Sequence, residues 1–189
     1  YEPGSVFKVI TMAAGIDSKK ITPDTTFVDT GSVTLDGRTI KNWDLKAHGR
    51  VSIMNVIEQS INTGAVYAVQ QIGKDRFYSY VKKFGFQSLT GIELPGEQAG
   101  SLGTLKTSFR DINFATASFG QGIAVTPLQL ITAVSAIANG GQLMKPYILE
   151  GNQSAPVQRV ISEEAARQVT DMMVSAVKKA GVAQLPHYH

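Results

Sequence analysis

The chain has 189 residues, 43% of them hydrophobic and 17% charged, with a net charge of +3 and no cysteine. That length fits about one domain with a core of its own, and the composition excludes a disordered chain, a collagen-like repeat and a disulfide scaffold. Without cysteine there is no thiol catalysis and no cysteine-held zinc or iron–sulfur site, and the scattered basic residues do not point to nucleic acid.

Tyr1-Glu2-Pro3-Gly4-Ser5 opens the chain without an initiator Met and runs straight into an apolar segment, which suggests a piece of something longer. Pro3-Gly4 is a turn that delivers Ser5 to a helix start. The helix body, Val6 to Ile16, is apolar on nearly every side, the pattern of a helix buried in the middle of a domain. Ile21 to Leu45 reads as irregular chain holding one small hairpin, residues 32–35 and 38–40 about Asp36-Gly37.

Three helices follow closely: about Ser52 to Gln59, then Thr63 to Ile72 with Thr63 as N-cap and Gly73 as stop, then Lys74 to Phe84. Gly91 to Gly103 is a Gly- and Pro-containing loop. Ser108 to Ala117 suggests another helix, and Thr126 to Asn139 a strong one with Pro127 in its first turn. Leu143 to Leu149 reads as extended. Ser162 opens a last amphipathic helix through about Lys179, with acids at its positive end. The fold class is therefore predominantly α. The longest apolar stretch, Ile123 to Ala138, is too short and too polar to cross a bilayer.

Ser5-Val6-Phe7-Lys8 is an S-x-x-K, and positions i and i+3 share one helix face. A serine on the first turn faces unpaired N–H groups and the positive end of the helix dipole. Lys8, one turn deeper on a buried helix, should be desolvated and its pKa depressed. A neutral amine beside a hydroxyl is a workable general base. With 14 Ser and 12 Lys, chance alone supplies about one such spacing. Two more occur, Ser79/Lys82 and Ser175/Lys178, but both lie on charged amphipathic helices and read as solvated faces. Ser60-Ile61-Asn62 is an S-x-N whose plainer reading is a capping turn between two helices.

Taken together, these residues resemble the transpeptidase domain of penicillin-binding proteins, and more closely the class B type. The resemblance covers essentially the whole chain. It rests on Tyr1 through Lys8, Asn42-Trp43-Asp44, Gln59-Ser60-Ile61-Asn62-Thr63, Leu94-Pro95-Gly96-Glu97, Ser118-Phe119-Gly120-Gln121-Gly122 and Val125-Thr126-Pro127-Leu128-Gln129. It implies the helical part of an α/β serine transpeptidase fold. Ser5 would be the nucleophile acylated by a D-alanyl-D-alanine stem peptide or by a β-lactam, and Lys8 would take its proton. Ser60 would relay a proton to the leaving group, and Asn62 would hold Lys8 and the substrate amide. The Gly120-Gln121-Gly122 turn and the helix after it look like scaffold.

The family's third element, K-[ST]-G, is absent from these 189 residues. Lys106-Thr107-Ser108 lies too early in the chain, and Lys179-Ala180-Gly181 closes a helix instead of opening a strand. Residues 1–189 therefore read as a partial transpeptidase domain, without its N-terminal strands, its K-T-G strand and most of its central antiparallel sheet. The family's oxyanion hole takes one N–H from that strand, and losing one such donor costs about 2.7–4 kcal/mol of transition-state stabilisation. On this reading the segment alone is nearly inactive, and its uncovered helices could pair as a dimer.

The parent protein is expected on the outer face of the bacterial membrane, anchored and paired with a glycosyltransferase. No cofactor is implied. His48, His187 and His189 do not make a recognisable metal site. Competing readings are a D,D-carboxypeptidase, a β-lactamase using Glu93 or Glu97 to deacylate, a β-lactam sensor, and a non-catalytic structural fragment.

Overall fold

The computed structural model, which describes residues 1–107, 110–149 and 154–180, begins with a 3-10 turn, Gly4–Phe7, that passes directly into helix α1, Lys8–Asp17. The expectation for this segment holds: Ile10, Met12, Ala13 and Ala14 are fully enclosed. Around α1 pack α3 (Asn62–Ile72), α4 (Lys74–Lys83), α7 (Pro127–Ala138) and α8 (Glu163–Ala180). One apolar cluster joins them, from Phe7 at the start of α1 to Met172 on α8. The molecule is organised about the helix that carries the S-x-x-K.

Strands are short and pair only in twos among the described residues. β1 (Thr26–Asp29) pairs antiparallel with β4 (Gly49–Ser52), with Phe27 opposite Val51 and Asp29 opposite Gly49. β2 (Ser32–Leu35) and β3 (Arg38–Lys41) form the expected hairpin. Its turn residues Asp36 and Gly37 both have positive φ, +49° and +75°, as a two-residue hairpin turn requires. β5 (Gln142–Met144) pairs with β6 (Pro156–Arg159). Helix α2 (Ile53–Glu58) is started by a Ser52/Asn55 capping box, and α7 by a Thr126/Gln129 one with Pro127 behind it, each satisfying orphan N–H groups of the first turn.

Several expectations need correcting. β1 lies in the stretch from Ile21 to Leu45 that the sequence reads as irregular apart from the hairpin, its partner β4 lies just before α2 where no strand is expected, and the extended piece expected over 143–149 is strand only at 142–144. A five-residue helix α5 (Gly103–Thr107) precedes α6 (Asp111–Ala117); the expected start of the latter at Ser108 lies outside the described residues. Thr63 is not an N-cap. Ile61 holds that position without a side-chain bond, and the Thr63 N–H donates to Asn42 Oδ1 at 3.1 Å instead. The tail from residue 181, with His187, His189 and Gly181, also lies outside the described residues.

Between α4 and α5 the long loop is held by polar contacts rather than by regular structure. Gln129 Nε2 donates to the carbonyls of Ser88 and Ala99 at 2.7 and 2.8 Å. Glu97 accepts from the N–H groups of Thr90 and Gly91 at 2.6 and 3.1 Å. At the other side of the core, Glu58 at the end of α2 accepts from Ser175 Oγ and from Lys179 Nζ, at 2.5 and 2.7 Å, which ties α8 across α2.

Candidate active site

Ser5 is exposed in its 3-10 turn, while Lys8, one turn on, is only 1% exposed. The turn is held from outside. Gly4 N–H donates to the Gly120 carbonyl at 3.1 Å, and Gly122 N–H donates to the Glu2 carboxylate at 2.7 Å. Gly120 sits at φ +79°, and a Cβ there would lie 2.2 Å from the Gly4 carbonyl oxygen. The expected scaffold turn is thus the wall against which the serine turn is pressed. Gly120→Ala combines a left-handed backbone, worth about 1–2 kcal/mol in a residue with a Cβ, with a clash against backbone. It is expected to lower the thermal unfolding midpoint by about 4 °C or more, measured by differential scanning fluorimetry.

The second arm comes from the connection between α2 and α3. Glu58 is the last residue of α2, Gln59 caps it, and Ser60 follows with φ +55°. Ile61 N–H bonds back to the Val56 carbonyl at 3.1 Å. This is a Schellman stop, whose left-handed position normally takes glycine. A serine there costs strain of about 1–3 kcal/mol, the sort that collects at functional sites. The conformation turns both the hydroxyl and the carbonyl of Ser60 toward α1, and fully buried Ile61 anchors it from below.

All four sequence-selected residues meet at the Lys8 amine. Nζ lies 3.1 Å from Ser5 Oγ, 2.9 Å from Ser60 Oγ, 2.7 Å from the Ser60 carbonyl and 2.8 Å from Asn62 Oδ1. Two of these oxygens can only accept, and two belong to hydroxyls that can also donate. A neutral amine has two N–H bonds and one lone pair. It satisfies this cage by donating to the Ser60 carbonyl and to Asn62, leaving the lone pair for a hydroxyl proton. Lys8 has no carboxylate partner among the described residues. Burial without a counter-charge lowers its pKa from 10.5 to about 7, because desolvation penalises the ammonium.

Asn62 is fixed at both ends, since its Nδ2 donates to the Lys41 carbonyl at 2.9 Å. Trp43, two residues on, is 71% exposed and donates Nε1–H to the Gln59 carbonyl at 3.1 Å. Behind this segment lies a polar cluster centred on Asp29, a residue that the sequence did not single out. Asp29, 2% exposed, accepts from Gly31 N–H, Asn42 Nδ2, His48 N–H and Thr63 Oγ1 at 2.7–3.0 Å. His48 Nδ1 lies 2.6 Å from the same carboxylate, and Nε2 is 3.1 Å from Asp44. Burial alone would raise the Asp29 pKa, but the hydrogen bonds from Thr63, Gly31 and His48 outweigh it and hold the carboxyl below 3.8.

The two other S-x-x-K spacings are not assembled in this way. Ser175 is engaged by Glu58, and Lys82 lies 5.8 Å over the Tyr78 ring.

Residues 1–189 match the family model for the penicillin binding protein transpeptidase domain. The chain belongs to the penicillin-binding protein transpeptidase family. Within it the relatives are of the class B type. The chain is 37% identical to Stage V sporulation protein D of Bacillus subtilis, over 94% of this chain and 29% of that protein. It is 32% identical to penicillin-binding protein PbpB of Mycolicibacterium smegmatis, over 95% of this chain and 29% of that one. Among solved structures, the transpeptidase domain of Burkholderia pseudomallei penicillin-binding protein 3 superposes with a TM-score of 0.86 at 32% identity, covering 94% of this chain and 54% of that one. Penicillin-binding protein 3 of Mycobacterium tuberculosis complexed with ampicillin gives 0.81 at 30% identity, over 94% and 41%. The chain therefore spans under a third of these curated relatives and about half of the solved chains. The fold is the helical part of the penicillin-binding transpeptidase fold.

Proposed function

We propose that the protein carrying this segment is a serine D,D-transpeptidase of peptidoglycan synthesis, acting on the outer side of the cytoplasmic membrane. Ser5 Oγ attacks the carbonyl of the penultimate residue of a D-alanyl-D-alanine stem peptide while Lys8 takes the hydroxyl proton. An ester forms on Ser5 and the terminal D-alanine departs, its amine receiving the proton through Ser60. The amine of a second stem peptide then attacks the ester, forms the cross-link and releases Ser5. Asn62 orients Lys8 and accepts or donates to the substrate amide. A β-lactam enters the first step and stays as the ester.

One observation carries this reading: a buried amine with a depressed pKa lies within hydrogen-bond reach of an exposed serine, a second serine and an asparagine. Relatives named peptidoglycan D,D-transpeptidase support the reaction class, and the ampicillin complex of a structural neighbour supports the inhibitor class. Deacylation by Glu97, one of the two glutamates that a β-lactamase reading could use, is disfavoured because both its carboxylate oxygens are engaged by the Thr90–Gly91 backbone.

Intact-mass and peptide-mapping analysis after penicillin treatment tests the proposal. The full-length protein is expected to gain one stable adduct on the peptide that contains Ser5. Absence of an adduct, or its rapid turnover, overturns the transpeptidase reading. The 189-residue chain alone, which contains no K-[ST]-G, is expected to label more slowly than a chain that also carries that strand, because the strand supplies an oxyanion N–H.

A further inference from the structure

The cluster about Asp29 contributes nothing to the chemistry above, yet it is among the most enclosed polar groups in the molecule. Asp29, Asn42 and Thr63 are all buried, and among the described residues the Asp29 carboxylate faces five donor atoms, none of them from lysine or arginine. We propose that Asp29, Asn42, His48 and Thr63 form a positioning network that sets Asn62, and through it the Lys8 amine, for proton transfer. This inference rests on the acyl-enzyme reading of Ser5 and Lys8.

The connections run in one direction. Thr63 follows Asn62 at the start of α3, where four N–H groups lack intrahelical partners. Thr63 N–H bonds to Asn42 Oδ1, and Thr63 Oγ1 donates to Asp29 Oδ1 at 2.7 Å. Asn42 Nδ2 in turn donates to Asp29 Oδ2 and to the Lys46 carbonyl. Lys41, its neighbour, receives the Asn62 Nδ2 bond. The Asn62 backbone, through Thr63, and its side-chain Nδ2, through Lys41, are thereby indexed to one buried carboxylate, and its oxygen is left facing Lys8 Nζ at 2.8 Å. His48 closes the cluster by bridging Asp29 and Asp44, which pins the loop carrying Trp43. A shift of one ångström in such a constellation can cost about a hundredfold in rate.

The test uses the full-length protein, with thermal midpoints measured beside the rate of acylation by a fluorescent penicillin at saturation. Thr63→Val, which keeps the shape and deletes the hydroxyl, is expected to slow acylation about tenfold. Thr63→Ser restores the hydroxyl and is expected to restore the rate. Leu105→Ala, at a buried position in α5, which packs on α6, supplies a loss of stability outside the network and is expected to acylate at the wild-type rate. Wild-type acylation in Thr63→Val overturns the proposal, and so does an equal slowing in Leu105→Ala. Should Thr63→Val fail to fold, His48→Gln, at the partly exposed rim of the cluster, is read in the same way: slowed acylation supports the network and a wild-type rate overturns it. A wild-type protein that takes no adduct overturns the acyl-enzyme reading itself.

Discussion

Replacing Lys8 by Arg is expected to slow β-lactam acylation of Ser5 by about 10²–10⁴, the range that a positioned general base contributes. The substitution replaces an amine that can become neutral with a permanent cation, because a guanidinium does not deprotonate in proteins. The amine cage explains why nothing else takes over. The oxygens about Nζ are two hydroxyls, a carbonyl and an amide oxygen, none basic enough at neutral pH to accept the Ser5 proton. Since Lys8 is enclosed, the larger Arg could also disturb packing, so Lys8→Met serves as the second variant. It matches the volume, removes the base and is expected to lose as much rate. Stopped-flow measurement of acylation checks both. A variant within threefold of the wild type would remove Lys8 from the mechanism.

The S-x-x-K was legible because two local signals coincide there. An all-apolar helix announces its own burial, and i,i+3 spacing places Lys8 under Ser5 whether the first turn is 3-10 or α. The S-x-N was legible only as a pair of residue types. Its geometry depends on Ser60 occupying the left-handed stop of α2, and sequence propensity assigns that position to glycine. The plainer reading of Ser60-Ile61-Asn62 as a capping turn holds for the turn between two helices and fails for the caps, since neither side chain caps a helix and both bond to Lys8. Thr63 misled for a related reason. Its residue type signals an N-cap, but the N–H that needs a partner finds Asn42, 21 positions earlier.

The Asp29 cluster left no periodic trace. Its members lie on β1, in the loop before β4 and on α3, so up to 34 positions separate partners. Strands of four residues are too short to show alternation: β2 and β3 are legible through the Asp36-Gly37 turn between them, and β1 and β4 are joined by no such turn. Lys106-Thr107-Ser108 does not stand in for the K-[ST]-G strand: Lys106 and Thr107 belong to helix α5, which offers a substrate no strand edge.

Acylation is expected to rise with pH through a midpoint near 7, falling about tenfold for each pH unit below it, so that pH 5 is about 100-fold slower than the plateau. The sign follows from the base. Lys8 must be neutral to accept the Ser5 proton, and burial without a counter-charge brings its pKa from 10.5 to about 7. Stability should move in the same direction. A lysine whose folded pKa lies below its unfolded one binds fewer protons when folded, so its penalty is complete below pH 7 and fades as pH rises toward 10.5. Lys8→Met removes that dependence. Urea midpoints of wild type and variant, compared between pH 6 and 9, should therefore diverge most at the acid end. Carboxylates held below their ordinary range, such as Asp29 and Glu58, release their stabilisation only as pH falls through still lower values. The rate can thus be followed down to pH 5 on a folded protein. A flat acylation profile from pH 5.5 to 8.5, with the fold intact, would mean that the amine is already neutral throughout or takes no part.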